Sequence, residues 1–178
     1  DNGFSAGKAY IIYGGQAALT STLDLSDVGG SIAGFTFTGR RNSDGLGSNF
    51  SGLGDINGDG YDDFAIAAQH ASGSSNPRVA YVVLGGQQLS GEYQIADYGA
   101  TFDAYLFKYQ RDQGDGSIST AGDIDGDGFF DMIFGAPLAA QSSNLQPFEN
   151  AVQAGRTYLI YGDDYRTEID LRGGEVDD

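Results

Sequence analysis

The nine residues DINGDGYDD at 55–63 return as DIDGDGFFD at 123–131, and this repetition limits the fold more than any other feature of the chain. Each copy places oxygen-bearing side chains at alternate positions around two glycines and is followed at once by apolar residues. A second landmark recurs beside them, an apolar run that ends in glycine: GKAYIIYGG at 7–15, RVAYVVLGG at 78–86 and GRTYLIYG at 155–162. A third, LDLSDVGG at 23–30, is echoed by IDLRGG at 169–174, and its first copy leads into GFTFTG at 34–39. Self-similarity of this kind means that each repeat is one small unit that buries its apolar faces against its neighbours.

The apolar runs read as strands. Val, Ile, Tyr and Phe cluster in them, and 29 glycines against 3 prolines supply many tight turns. One unit reads as strands at 48–55, 63–68, 78–85 and 100–109, with the acidic loop joining the first two. The next reads as strands at 116–123, 131–137 and 155–162. Several runs are apolar at consecutive positions, so both faces of their sheets are covered. Small residues such as Ala65, Ala67, Gly135 and Ala136 let a neighbouring sheet approach closely. The sequence therefore predicts an all-β fold built from four-stranded antiparallel blades of a β-propeller, here a partial propeller of about two and a half repeats. Residues 1–39 hold the last strands of a preceding blade, 40–109 a complete repeat, and 110–178 a second repeat lacking its last strand. Open blade edges adhere to other strands. The chain is accordingly expected to be part of a longer propeller or to associate with further copies.

The repeated loop has its own chemistry. A hard cation such as calcium takes six to eight oxygens at roughly 2.3–2.6 Å, and alternating Asp/Asn and Gly can wrap such an ion. The first loop offers Asp55, Asn57, Asp59 and Asp63, with the backbone carbonyl of Tyr61. The second offers Asp123, Asp125, Asp127 and Asp131, with the carbonyl of Phe129. Gly60 and Gly128 follow the third ligand, where the chain must turn in a way a side chain hinders. Two calcium sites are expected, the second tighter because it carries one more carboxylate. An EF-hand is excluded, since its twelfth position is Glu between helices, whereas Ile66 and Phe134 stand there, inside strands. Magnesium is a weaker fit because it demands octahedral geometry and retains waters.

Charge narrows the partners. A formal charge of −16, from 25 acidic and 9 basic residues, repels nucleic acid and anionic lipid surfaces. No apolar run is long enough to span a bilayer, and the absence of cysteine removes disulfides and thiolate ligands.

GDIDGDGFFDMIFGAP at 122–137 resembles the FG-GAP repeat of integrin α-subunit propellers and of many large bacterial secreted proteins, down to the literal Phe134-Gly135-Ala136-Pro137. The first copy departs from it, with Ile66-Ala67-Ala68-Gln69 in place of FGAP. The resemblance implies an FG-GAP β-propeller whose calcium loops join the first two strands of a blade, with ligands met by loops on the opposite face. By position these are 40–48, 69–78, 110–116 and 138–154, where Arg40, Arg41, Arg78 and Arg111 fall. The expected function is a non-catalytic, calcium-binding module, extracellular or at the cell surface, for adhesion or for a protein or carbohydrate ligand. The alternatives are a calcium-stiffened spacer or an accessory domain of a larger secreted enzyme. The only histidine, His70, stands beside Ser72, Ser74 and Ser75, but no nucleophile-elbow motif accompanies it. The stretch 97–109 separates the readings: buried Tyr98, Tyr105 and Tyr109 favour a scaffold, an exposed cluster favours binding.

Overall fold

The computed structural model describes residues 6–15, 22–68, 78–109, 116–139, 155–162 and 168–170. Among the described residues, eleven strands form three sheets. They are β1 (Lys8–Ile12), β2 (Gly34–Thr38), β3 (Leu46–Gly54), β4 (Asp63–Ala68), β5 (Arg78–Val83), β6 (Gly91–Gln94), β7 (Ala104–Tyr109), β8 (Ser117–Gly122), β9 (Asp131–Ala136), β10 (Arg156–Ile160) and β11 (Glu168–Asp170). The only helical elements among the described residues are two short 3-10 turns, Leu25–Asp27 and Ile95–Asp97. Among the described residues no helix is long and apolar enough to cross a membrane.

The central sheet runs β3-β4-β5-β7 antiparallel, the predicted four-stranded blade, with β11 added beyond β7. A second sheet orders β1-β2-β6 and a third β10-β9-β8. The fold is thus all-β, with antiparallel blades of a partial propeller. Every residue of β5 is buried, and so is all of β4 except Phe64, which is half-buried. Alternate side chains of these strands enter two different cores. Ile66, Ala68, Val79, Tyr81 and Val83 join Phe35 and Phe37 of β2 on one side. Ala65, Ala67, Ala80 and Val82 join Met132, Phe134 and Ala136 of β9 on the other. Two covered faces remove the polar alternation that a half-exposed strand would show. Ala65 and Ala67 are fully buried there, as their small size allows.

Two features depart from the sequence reading. The strand expected at 100–109 begins only at Ala104, because the backbone carbonyl of Asp97 accepts from the N–H groups of Ala100 and Thr101 and holds the chain in a turn. The second is a parallel strand. β6 pairs with β2 and β11 with β7, each in parallel, so the chain that follows the third strand of one repeat joins the outer strand of the sheet before it. The segment 93–99 is also a copy of 23–29 that the sequence reading missed. Both contain a 3-10 turn, and each is closed by an isolated bridge, Val28 to Ile32 and Tyr98 to Phe102.

Candidate metal centre

Each acidic loop leaves the first strand of a sheet and enters the second. The loop from Asp55 to Asp63 joins β3 to β4, and that from Asp123 to Asp131 joins β8 to β9. Each is organised by its first and last aspartates. Asp55 Oδ1 accepts from the N–H groups of Gly58 and Asp59 at 2.8 and 3.1 Å, and Oδ2 from Gly60 at 2.8 Å. Asp123 repeats this with Gly126 at 2.7 Å and Gly128 at 3.1 Å. The glycines that wrap these carboxylates have positive φ, 88° at Gly60 and 99° at Gly128, conformations that cost a side chain energy.

The last aspartates are buried. Asp63 Oδ2 accepts from Ile56 N–H at 2.9 Å, and Oδ1 reaches across the sheet to Gly85 N–H at 2.7 Å. Asp131 does the same with Ile124 at 2.7 Å and Gly162 at 2.9 Å. A carboxylate has about four acceptor positions, so each oxygen that takes one N–H keeps a lone pair for a cation.

Between these anchors the loops differ. In the second, one oxygen from each of Asp123, Asp125 and Asp131 lies within 4.8 Å of the other two. Asp127 is outside this group, and its Oδ1 accepts from Phe129 N–H at 2.8 Å. Among the described residues no such carboxylate triad forms in the first loop. Asn57 takes the place of Asp125 there, and its Nδ2 donates to Asp59 Oδ2 at 3.0 Å. Tyr61, whose carbonyl the sequence assigned to the first ion, exposes its ring at the surface, and Phe129 is half-buried.

Charge is concentrated at these positions. Partial loss of solvent, with the neighbouring charges of Asp127, Asp131 and Asp123, raises the Asp125 carboxyl above its ordinary value. Burial raises that of Asp63; the N–H groups of Gly85 and Ile56 oppose the rise, while Asp59 and Asp55 add to it. Converging carboxylates that hinder one another's ionisation, with hard oxygen donors only, suit a hard divalent cation that relieves the repulsion.

The connections expected to meet ligands are described only in part. Residues 69–77, with His70, residues 110–115, with Arg111, and residues 140–154 lie outside the described residues. In the 40–48 connection Asp44 is buried, and its Oδ2 accepts from the N–H groups of Arg40 and Arg41 at 3.0 and 3.1 Å. Arg40 also pairs with it through Nε at 3.4 Å. Arg78 is not presented to solvent as a loop charge: it is the first residue of β5 and is buried.

Packed antiparallel sheets, two of which carry an acidic, glycine-turned loop at the same place between their first and second strands, define a repeat protein of the propeller-blade class. The sequence pattern of the FG-GAP repeat matches residues 47–82 and 116–160, spans that begin within β3 and just before β8 and take in both acidic loops. Two FG-GAP repeats therefore lie between residues 47 and 160 of the chain. A search of curated proteins found none that matches it.

Proposed function

We propose that this chain is a calcium-binding, non-catalytic extracellular module whose two acidic loops each hold one Ca2+. The observation that carries the reading is the convergence of Asp123, Asp125 and Asp131, with Asp131 fixed by two backbone N–H groups. The first loop repeats the same anchors with Asp55 and Asp63, and Asn57 replaces one carboxylate. Asp123, Asp125, Asp127, Asp131 and the Phe129 carbonyl hold the tighter ion; Asp55, Asn57, Asp59, Asp63 and the Tyr61 carbonyl hold the weaker. The bound ions neutralise the loops and stiffen the entry to each sheet.

The 40–45 connection precedes β3 and the first acidic loop follows it, so the two lie at opposite ends of one strand. Protein or carbohydrate ligands meet the end away from the ions, and further blades, from a longer chain or other copies, complete the propeller. A calcium-stiffened spacer is the second reading. It is favoured by Tyr109, which is fully buried, and by Tyr98 and Tyr105, which are packed against the two inter-sheet cores.

Calorimetric titration of the chelator-treated chain with Ca2+ and with Mg2+ tests the metal reading. Two calcium sites and a raised thermal midpoint are expected, worth about 2.7 kcal/mol per site at a hundredfold excess over Kd. Absence of calcium binding overturns it. Glycan arrays and surface-protein capture, run with calcium and with chelator, then separate a binding module from a spacer.

A further inference from the structure

The two loops touch. The backbone carbonyl of Asp55 accepts a hydrogen bond from the N–H of Phe130 in the second loop, at 2.9 Å. The Phe129 ring lies against Gly58 so closely that a Cβ there would overlap it. The Phe130 ring covers Gly54 in the same way, its Cγ 2.7 Å from where a Cβ would stand. Gly54 and Gly58 have φ of 79° and 75°, so neither the backbone nor the space admits a side chain.

These contacts join parts of the two candidate centres. Asp55 is the residue whose carboxylate gathers the turns of the first loop, and Gly58 is one of the N–H groups it gathers. Phe129 sits between Asp127 and Asp131, with its N–H on Asp127. A movement that draws the second loop around an ion carries the Phe129 ring and the Phe130 N–H with it, and both press on the first loop.

We infer that the two acidic loops bind calcium as a coupled pair, with Phe129 and Phe130 as the connection. This rests on the calcium reading above. Filling the second loop fixes the Phe129 ring over Gly58 and the bond to the Asp55 carbonyl, which lowers the ordering cost of the first. Linkage makes the effect reciprocal, and couplings of this kind typically span about 5–150-fold in affinity. One hydrogen bond and two ring contacts place this pair at about 5–10-fold, the low end of that range. The counterpart of Phe129 in the first loop, Tyr61, packs instead against Gly86 in the turn after β5, so the connection is made from the second loop's aromatic residues.

The test uses the full chain, titrated with Ca2+ while the amide resonances of Gly58 and Gly60 report the first loop and those of Gly126 and Gly128 the second. Disabling the second loop with Asp125→Ala and Asp127→Ala is expected to weaken calcium binding at the first by about 5-fold or more. Phe129→Ala leaves all the carboxylates in place and is expected to separate two midpoints that otherwise move together. Because Asp125 and Asp127 are exposed, the first variant remains informative if Phe129→Ala does not fold. Unchanged affinity of the first loop in the Asp125→Ala, Asp127→Ala chain overturns the coupling while leaving the calcium reading intact. No calcium response in either loop overturns both.

Discussion

Replacing Asp131 by Asn, with calcium removed by chelator, isolates what the buried carboxylate does for the fold apart from any ion. Its two oxygens accept from Ile124 and Gly162 at 2.7 and 2.9 Å, and the Gly162 bond is buried. Asn keeps the shape but has one acceptor oxygen. The retained bond loses its charge assistance, about 1 kcal/mol, and the other N–H faces an amide NH2 and is left unsatisfied, about 1–3 kcal/mol. The expected loss is about 2–4 kcal/mol. Asp127→Asn serves as the comparison. Its exposed carboxylate accepts from Phe129 N–H, a bond that an amide oxygen also makes, so the expected loss is below about 0.5 kcal/mol. Urea unfolding of both variants in chelator, read as a change in midpoint at constant slope, measures the difference. If Asp131→Asn costs no more than Asp127→Asn, the clamp argument is refuted, and the burial of Asp131 has to be explained by packing alone.

The raised Asp125 carboxyl makes a pH-dependent prediction for the metal-free chain. A carboxyl raised above its ordinary 3.8 contributes stability that is present below that pH and lost as pH rises through the raised value. Asp125→Asn should therefore raise the thermal midpoint at pH 7 in chelator, with the gain vanishing below pH 3.8; equal midpoints at pH 7 would contradict it. Phe134 is fully buried against Tyr109, with ring centroids 4.8 Å apart, so Phe134→Ala should cost about 3–5 kcal/mol in urea unfolding. Glu92 accepts from Thr38 at 2.7 Å and pairs with Lys8 at 2.9 Å, and these contacts lower its pKa. Its contribution is present at neutral pH and lost as pH falls through the lowered value. Both ion-pair partners are substantially exposed, so Glu92→Gln should cost less than about 1 kcal/mol at pH 7.

Strands made of consecutive apolar residues were the most legible part of the fold. DFAIAA gives β4 at the predicted bounds, and RVAYVV gives β5, because burial on both faces leaves a direct mark on composition. β6 leaves no such mark. GEYQ has no apolar run, its pairing with β2 is made by the backbone, and any short extended segment at that place would serve. The turn at 97–103 was hidden because its holding atom is a main-chain carbonyl. In the candidate centre, residue types and spacing were legible, since alternating oxygens and glycines are local. The partners of the last aspartates were not: Gly85 and Gly162 lie 22 and 31 residues downstream, and only the folded sheet brings them back. Contact between the loops was equally hidden. Phe129 read as a loop residue offering its carbonyl, and nothing local shows that its ring and that of Phe130 cover Gly58 and Gly54.

The parallel strand that each repeat lends to the sheet before it sets how such a chain can grow or shrink. The unit that repeats in sequence and the unit that packs as a sheet are out of phase by one strand. Copying a stretch from one acidic loop to the next therefore carries along the piece that fastens the new sheet to its predecessor, and an array can lengthen by whole periods with its joints intact. A cut made at the visible border of a sheet, just after β7, instead strips that sheet of the β11 strand, which pairs with it through Leu106, Phe107 and Lys108. An excised blade intended to stand alone should thus extend through residue 170.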